Sequence, residues 1–200
     1  MLIKKGSEFV GSKLLFFFLA FVLCLGVSSC STHKGVTKRS KYEKAHHKTK
    51  KEKEREEKEE KLVSDITKHL KGDEKKVIHE AQTWIGTPYQ YARQDKGSGT
   101  DCSGYTMMVF KKAISCDLPR NSAKQAEFCK KIKRSHVKPG DLVFFATGKD
   151  SQTVTHVGIM INEKQFLHAS SSKGVVISSL DNNYYSSRLV GFGKVPCLHH

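Results

Sequence analysis

The chain has 200 residues, with 35 Lys and Arg against 20 Asp and Glu, for a formal net charge of +15. That length leaves room for one domain and a tail, and no internal repeat is visible. The basic excess is spread through both halves, so an anionic partner is expected.

The first elements are not part of a fold. Lys4, Lys5 and Lys13 precede an apolar run over 14–25. Its length of about twelve residues is too short for a bilayer span, which needs about 20. The basic flank and apolar core match a secretory signal, read here as residues 1–29. Val27-Ser28-Ser29-Cys30 resembles a bacterial lipobox, which implies cleavage before Cys30 and lipidation of its sulfur. Several acyl chains hold a protein firmly where one binds only marginally. The expected location is the cell envelope, with the chain lipid-anchored to a bacterial membrane, the outer one in a Gram-negative cell. An exported chain meets head groups and cell-wall carboxylates before nucleic acid, so no nucleic-acid partner is expected.

From Ser31 to Lys61 apolar residues are almost absent, and Lys48–Lys61 is a low-complexity run of Lys and Glu. Such a segment buries too little apolar surface to offset the entropy of ordering. Residues 30–72 therefore read as a lipidated cysteine and a charged, disordered tether. A transient helix over 50–61, held by Glu–Lys pairs four apart, is the local order expected there.

The folded domain is expected over 73–196, followed by a tail at 197–200. Asp73 caps a helix whose apolar stripe runs through Val77, Ile78, Ala81, Trp84 and Ile85, the spacing of a half-buried helix. A Gly- and Ser-containing loop then leads into Thr100-Asp101-Cys102-Ser103-Gly104 and an apolar run, which reads as loop and then helix N-terminus. Short β-prone runs follow at 142–146, 156–161, 165–169, 174–179 and 189–195, separated by hairpin-length turns. Helices first and strands afterwards imply an α+β fold with an antiparallel sheet of about five strands.

Three side chains in this stretch carry chemistry. Cys102 falls in the first turn of its helix, where unpartnered N–H groups favour a thiolate and lower the thiol pKa. A small buried core residue is the bland alternative, since free Cys is among the most buried residue types. His156 and His168 lie on adjacent strands, seven residues before and five after Glu163. That spacing puts them nearly opposite, about one cross-strand step apart. A thiol, an imidazole to take its proton and a polar group to fix that imidazole's tautomer form a nucleophilic set. Asp101 reads as a helix cap and Arg120 as its structural partner, while Gly158 allows close strand packing. With Cys102 reduced, Cys116, Cys129 and Cys197 leave room for at most one disulfide, Cys116–Cys129 being one candidate. No cysteine or histidine spacing fits a zinc site, so no metal is expected.

In order along the chain stand Gly86-Thr87-Pro88-Tyr89, Asp101-Cys102-Ser103-Gly104, Leu118-Pro119-Arg120, Pro139-Gly140-Asp141-Leu142-Val143-Phe144-Phe145, His156-Val157-Gly158-Ile159 and Phe166-Leu167-His168-Ala169. This set resembles the NlpC/P60 cysteine peptidases over about residues 73–196. The resemblance implies a papain-like core, with Cys102 as nucleophile, His156 as base, His168 orienting His156, and Tyr89 lining the site near the oxyanion pocket. It implies a peptidoglycan hydrolase cleaving stem-peptide or crosslink amides through a thioester, with no cofactor, acting as a monomer. One departure is visible: Ala92-Arg93 stand where the family often has two glycines. A non-catalytic peptidoglycan-binding lipoprotein, or a thiol-dependent acyltransferase or amidase, are the alternatives on the same fold.

Overall fold

The computed structural model describes residues 48–199. The signal, Cys30 and the tether up to residue 47 lie outside the described residues.

Helix α1 (Lys50–Thr67) corrects the reading of 50–67 as part of a disordered tether. Thr49 and Glu52 close a capping box at its start, the Glu52 carboxylate accepting from the Thr49 N–H at 2.8 Å. Val63 is fully buried, and Ile66 and Leu70 pack on the same core. Their three- and four-residue spacing makes a short apolar stripe at the end of the charged run. Burying one such side chain contributes about 1.5–3 kcal/mol. An exposed pair such as Lys50–Glu54, 3.9 Å apart, contributes only about 0.3–0.5 kcal/mol. Docking of the last two turns therefore outweighs the ion pairs of the first three. The Gln82 amide donates to the Glu60 carbonyl at 2.9 Å and ties α1 to helix α2 (Gly72–Gln82).

Helix α2 follows the expected stripe, with Val77, Ile78 and Ala81 buried, but its N-cap is Lys71 and it ends three residues before Ile85. Trp84 and Tyr105 meet edge to face at 5.9 Å. The Tyr105 hydroxyl donates to the Ala81 carbonyl at 3.2 Å, locking α2 to helix α3 (Cys102–Ile114). Strands β1 (Gln94–Asp95) and β2 (Gly99–Thr100) form a small hairpin inside the loop before Cys102. Helix α4 (Ser122–Phe128), capped by Asn121, leads to β3 (Lys130–Ile132).

The main sheet adds β4 (Leu142–Phe145), β5 (His156–Met160), β6 (Gln165–Ser170), β7 (Gly174–Ser179) and, after the short helix α5 (Asn183–Ser186), β8 (Leu189–Lys194). Its order is β3-β8-β4-β5-β6-β7, and every pairing is antiparallel. The sheet thus has six strands rather than about five. The extra one is β3, whose Lys-rich sequence carries no apolar alternation and which pairs with the last strand at the sheet edge. Alternation sorts the two faces: Leu142, Phe144, Val157, Ile159 and Leu167 face the helices, while Val143, Phe145, Met160, Phe166 and Phe192 form a second core.

The disulfide joins Cys116 to Cys197, Cα–Cα 6.1 Å apart, and not to Cys129. Cys129 is buried against the strand opposite; a Cβ placed on Gly193 would come within 2.6 Å of the Cys129 Cβ. Residues 197–198 are accordingly no tail, since Leu198 is 1% exposed.

Candidate active site

The site begins with the turn that presents Cys102. Asp101 caps α3, its Oδ1 accepting from the Gly104 N–H at 2.7 Å. The Arg120 guanidinium grips both oxygens of that carboxylate, at 2.8 Å and 2.6 Å, and also donates to Ser103 Oγ at 3.0 Å. Burial opposes ionisation of Asp101, but Arg120 and the Gly104 N–H outweigh it and hold the carboxyl below its usual range. Gln125, fully buried, bonds the carbonyls of Ser103 and Pro119 at 3.0 Å and 2.7 Å and accepts from Thr106 at 2.8 Å. Gly104 is required by a close approach: a Cβ there would stand 2.4 Å from the Arg93 carbonyl oxygen. Asp101 and Arg120 are thus structural, as their sequence position suggests.

The loop carrying Tyr89 is pinned to the same turn. The Gln90 N–H donates to the Thr100 carbonyl at 2.9 Å, and the Thr100 N–H donates to the Pro88 carbonyl at 3.0 Å. Tyr89 lines the cleft on both sides of Cys102. Ala92 adopts φ +60°, a left-handed conformation that costs an L-residue roughly 1–2 kcal/mol. Arg93 faces Asp95 across 3.6 Å with both side chains more than half exposed, a solvated loop pair.

The histidines meet as their spacing predicts. His156 Nε2 and His168 Nδ1 are 2.8 Å apart. Gly158 lets the strands close up, since a Cβ there would reach 2.7 Å from Phe166 and 3.3 Å from the His168 Cβ. Behind them, His168 Nε2 lies 2.9 Å from Ser178 Oγ and 3.2 Å from the Tyr185 hydroxyl. Ser178 and Tyr185 are the residues that sequence reasoning missed. The signal for Ser178 was present: His168 is in register with Val176, two residues away on the same face of β7. A polar relay therefore crosses β5, β6 and β7 diagonally. The hydrogen-bond network sets the tautomers. If His156 donates from Nε2 to His168 Nδ1, His168 donates from Nε2 to Ser178 or Tyr185, and His156 Nδ1 is left free to accept a proton.

Cys102, His156, His168 and Tyr89 line one cleft of about 430 Å³. Cys102 Sγ lies 4.0 Å from the Thr155 carbonyl oxygen, at the residue before β5. A second cleft of about 430 Å³ shares Cys102, Tyr89 and Thr155 and continues past Arg120 and Tyr91. The thiol thus sits where two grooves join.

The protonation state differs from the expectation of a lowered thiol pKa. Burial, reinforced by the Asp101 charge, pushes the Cys102 thiol up to about 11 against the pull of N–H groups of Val157, Ser103 and Cys102. Burial pulls His156 down to about 4, and burial with the neighbouring His156 and Lys173 keeps His168 neutral. Cys102 is 8% exposed, and at that depth desolvation exceeds the helix N-terminus. At neutral pH the cleft therefore holds an uncharged thiol and an uncharged imidazole. Among the described residues no three His, Cys, Asp or Glu side chains are grouped to hold a metal ion.

A family model described as NlpC/P60 family matches residues 86–194. The chain is 45% identical over 104 residues to the probable endopeptidase NlpC of Escherichia coli (strain K12), covering 52% of this chain and 66% of that protein. It is 37% identical over 115 residues to the murein DD-endopeptidase MepS/murein LD-carboxypeptidase of the same strain, covering 58% and 59%. These matches leave a third or more of each relative's length uncovered. Among solved structures, the NlpC/p60 domain of the peptidoglycan hydrolase SagA superposes with a TM-score of 0.53 at 28% identity, covering 60% of this chain and 97% of that one.

Proposed function

The chain belongs to the NlpC/P60 family, and from that membership we propose that it is a cysteine peptidase that hydrolyses amide bonds in peptidoglycan stem peptides or their crosslinks. The observation that carries the reading is the cleft in which Cys102, at a helix N-terminus, faces the same space as a His156 locked to His168 at 2.8 Å. The two grooves meeting at Cys102 suit an extended peptide bound on both sides of the scissile bond, as an endopeptidase requires.

His156 Nδ1 takes the thiol proton as Sγ attacks the substrate carbonyl, so charge develops on the sulfur only as the new bond forms. The Cys102 backbone N–H, unpartnered within its helix, and Tyr89 receive the oxyanion; one such donor is typically worth about 3–4 kcal/mol. His168 holds the Nε2–H of His156 and so keeps Nδ1 aimed at the thiol. The protonated His156 then donates to the leaving amine, and water hydrolyses the thioester with His156 as base.

Residues 1–29 act as an export signal and Cys30 carries the lipid anchor, which places the enzyme at a bacterial envelope where its substrate lies. Incubation of the purified chain with sacculi, followed by mass spectrometry of the released muropeptides, tests the reading and identifies the bond. Cys102→Ala is expected to lower release by at least about a thousandfold. Equal release by both proteins would overturn the assignment, and a wild-type chain that binds sacculi without releasing anything would mark a binding protein.

A further inference from the structure

The wall of the main cleft includes two side chains from α1, Arg55 and Glu59, one helical turn apart. Neither belongs to the machinery above, and both lie outside the residues 86–194 that match the family. Arg55 Nε stands 3.8 Å from Glu59 Oε1, and the other end of the guanidinium stands 3.9 Å from Glu56 Oε1. Both separations are longer than a hydrogen bond. Arg55 Nε and Glu59 Oε2 are buried with no hydrogen-bond partner among the described residues. An unmade bond of this kind weighs against the fold, more so where the group is charged. Lys173 enters the same cleft from the β6–β7 turn, beside the hydroxyls of Ser170, Ser171 and Ser172. The side chain of Arg55 is 31% exposed, so most of it, Nε included, is covered by the wall.

We propose that Arg55, with Lys173, forms a subsite that binds a carboxylate of the peptide substrate, while Glu59 positions the guanidinium and accepts an N–H from the same peptide. The proposal rests on the reading of the cleft as a peptidase site. Three observations on the page point to a carboxylate. A guanidinium N–H without a hydrogen bond and an ammonium converge on one cleft, and with Lys48 holding Glu56 at 2.6 Å the three cations Arg55, Lys173 and Lys48 exceed the two carboxylates Glu59 and Glu56. The planar fork of an arginine matches a carboxylate in two-point geometry. The unsatisfied atoms sit in the cleft that also holds Cys102, so a bound peptide can reach them and the thiol together. The helix that the sequence composition hides as a tether would then select the substrate.

Binding to the full chain carrying Cys102→Ala, measured by calorimetry, tests this without turnover. The probes are a synthetic stem tripeptide ending in diaminopimelate with its carboxyls free and the same tripeptide with them amidated. The free acid is expected to bind at least about tenfold tighter than the amide. Arg55→Ala, added to the Cys102→Ala chain, should collapse that preference to near unity, and Arg55→Lys should restore part of it. Lys173→Ala serves as the second variant, with an expected smaller loss of preference, should Arg55→Ala unfold. Equal affinity of acid and amide, or a preference that survives both substitutions, would overturn the proposal. Release of muropeptides by the unsubstituted chain is read separately, so failure of the peptidase reading and failure of the subsite give different results.

Discussion

Two of the helices that meet the main cleft, α3 and α1, treat their polar groups in opposite ways. At the start of α3 the buried polar side chains are partnered: the Asp101 carboxylate has Arg120 and the Gly104 N–H, and Gln125, reaching over from α4, makes three bonds. On α1 two buried atoms, Arg55 Nε and Glu59 Oε2, have none among the described residues. A satisfied network fixes one geometry, which is what a nucleophile needs. Unsatisfied groups at a cleft wall keep bonding capacity in reserve for something that arrives. The same cleft therefore has a side built to hold still and a side built to recognise.

The contrast can be broken most severely at Gly104. In most helices Gly→Ala is mildly stabilising, but here the new methyl meets the backbone oxygen of Arg93 at 2.4 Å. Backbone cannot swing aside, so Gly104→Ala is expected to cost about 3 kcal/mol. Urea unfolding measures the loss, and a drop in Cys102 labelling by a thiol reagent would show that the first turn has moved. Arg120→Ala comes next. It strips the buried Asp101 of its counter-ion, and because Arg120 is itself 38% exposed the expected cost is about 2 kcal/mol, below the range for a fully buried pair. An unchanged denaturation midpoint would mean that the cap alone holds the turn. Ala92→Gly works in the other direction. Relieving the φ of +60° should stabilise the chain by about 1 kcal/mol, net of the extra freedom that glycine gains when unfolded.

The smallest expected effect sharpens the comparison through pH. Between pH 5 and 9 the α3 side should be silent, because burial holds the Cys102 thiol up at about 11 and His156 down at about 4. The α1 side should titrate. Burial raises Glu59 to about 7 from 4.5, with Glu56 adding to the rise and Arg55, Lys173 and the Ile177 N–H opposing it. A carboxyl that holds its proton more tightly in the folded state than in the unfolded one contributes stability below pH 4.5, and that contribution is lost as pH rises to about 7. Amide exchange in α1, corrected for intrinsic rates, should thus be more protected at pH 5 than at pH 8. Glu59→Gln should flatten the difference, and an α1 that protects equally at both values would remove Glu59 as the cause.

Much of the cleft was legible because it depends on counting. Strands alternate with period two, so the residues between His156 and His168 were enough to place them together, and the same count reaches Ser178. The Asp101 cap and the glycine at 104 are likewise local. What escaped depends on depth and distance. The thiol was expected to acidify because its helix position is visible in the sequence, whereas its burial is a product of the whole fold. Helix α1 was hidden because its few apolar residues, Leu62, Val63 and Ile66, follow a charged run that dominates any composition window. Cys116 found Cys197 and not the nearer Cys129 because tertiary approach, not separation along the chain, decides which sulfurs meet.

That last pairing spans 81 positions in the sequence, and the enclosed stretch contains all six strands of the main sheet. When such a molecule denatures it stays a hoop, not a string, and the entropy so withheld from the denatured chain is worth roughly 4–5 kcal/mol. Cys102 lies outside the hoop and is a free thiol. One polypeptide therefore carries an oxidised pair and a reduced thiol at once, and because burial holds that thiol protonated at about 11, the conditions that keep the hoop closed need not oxidise it.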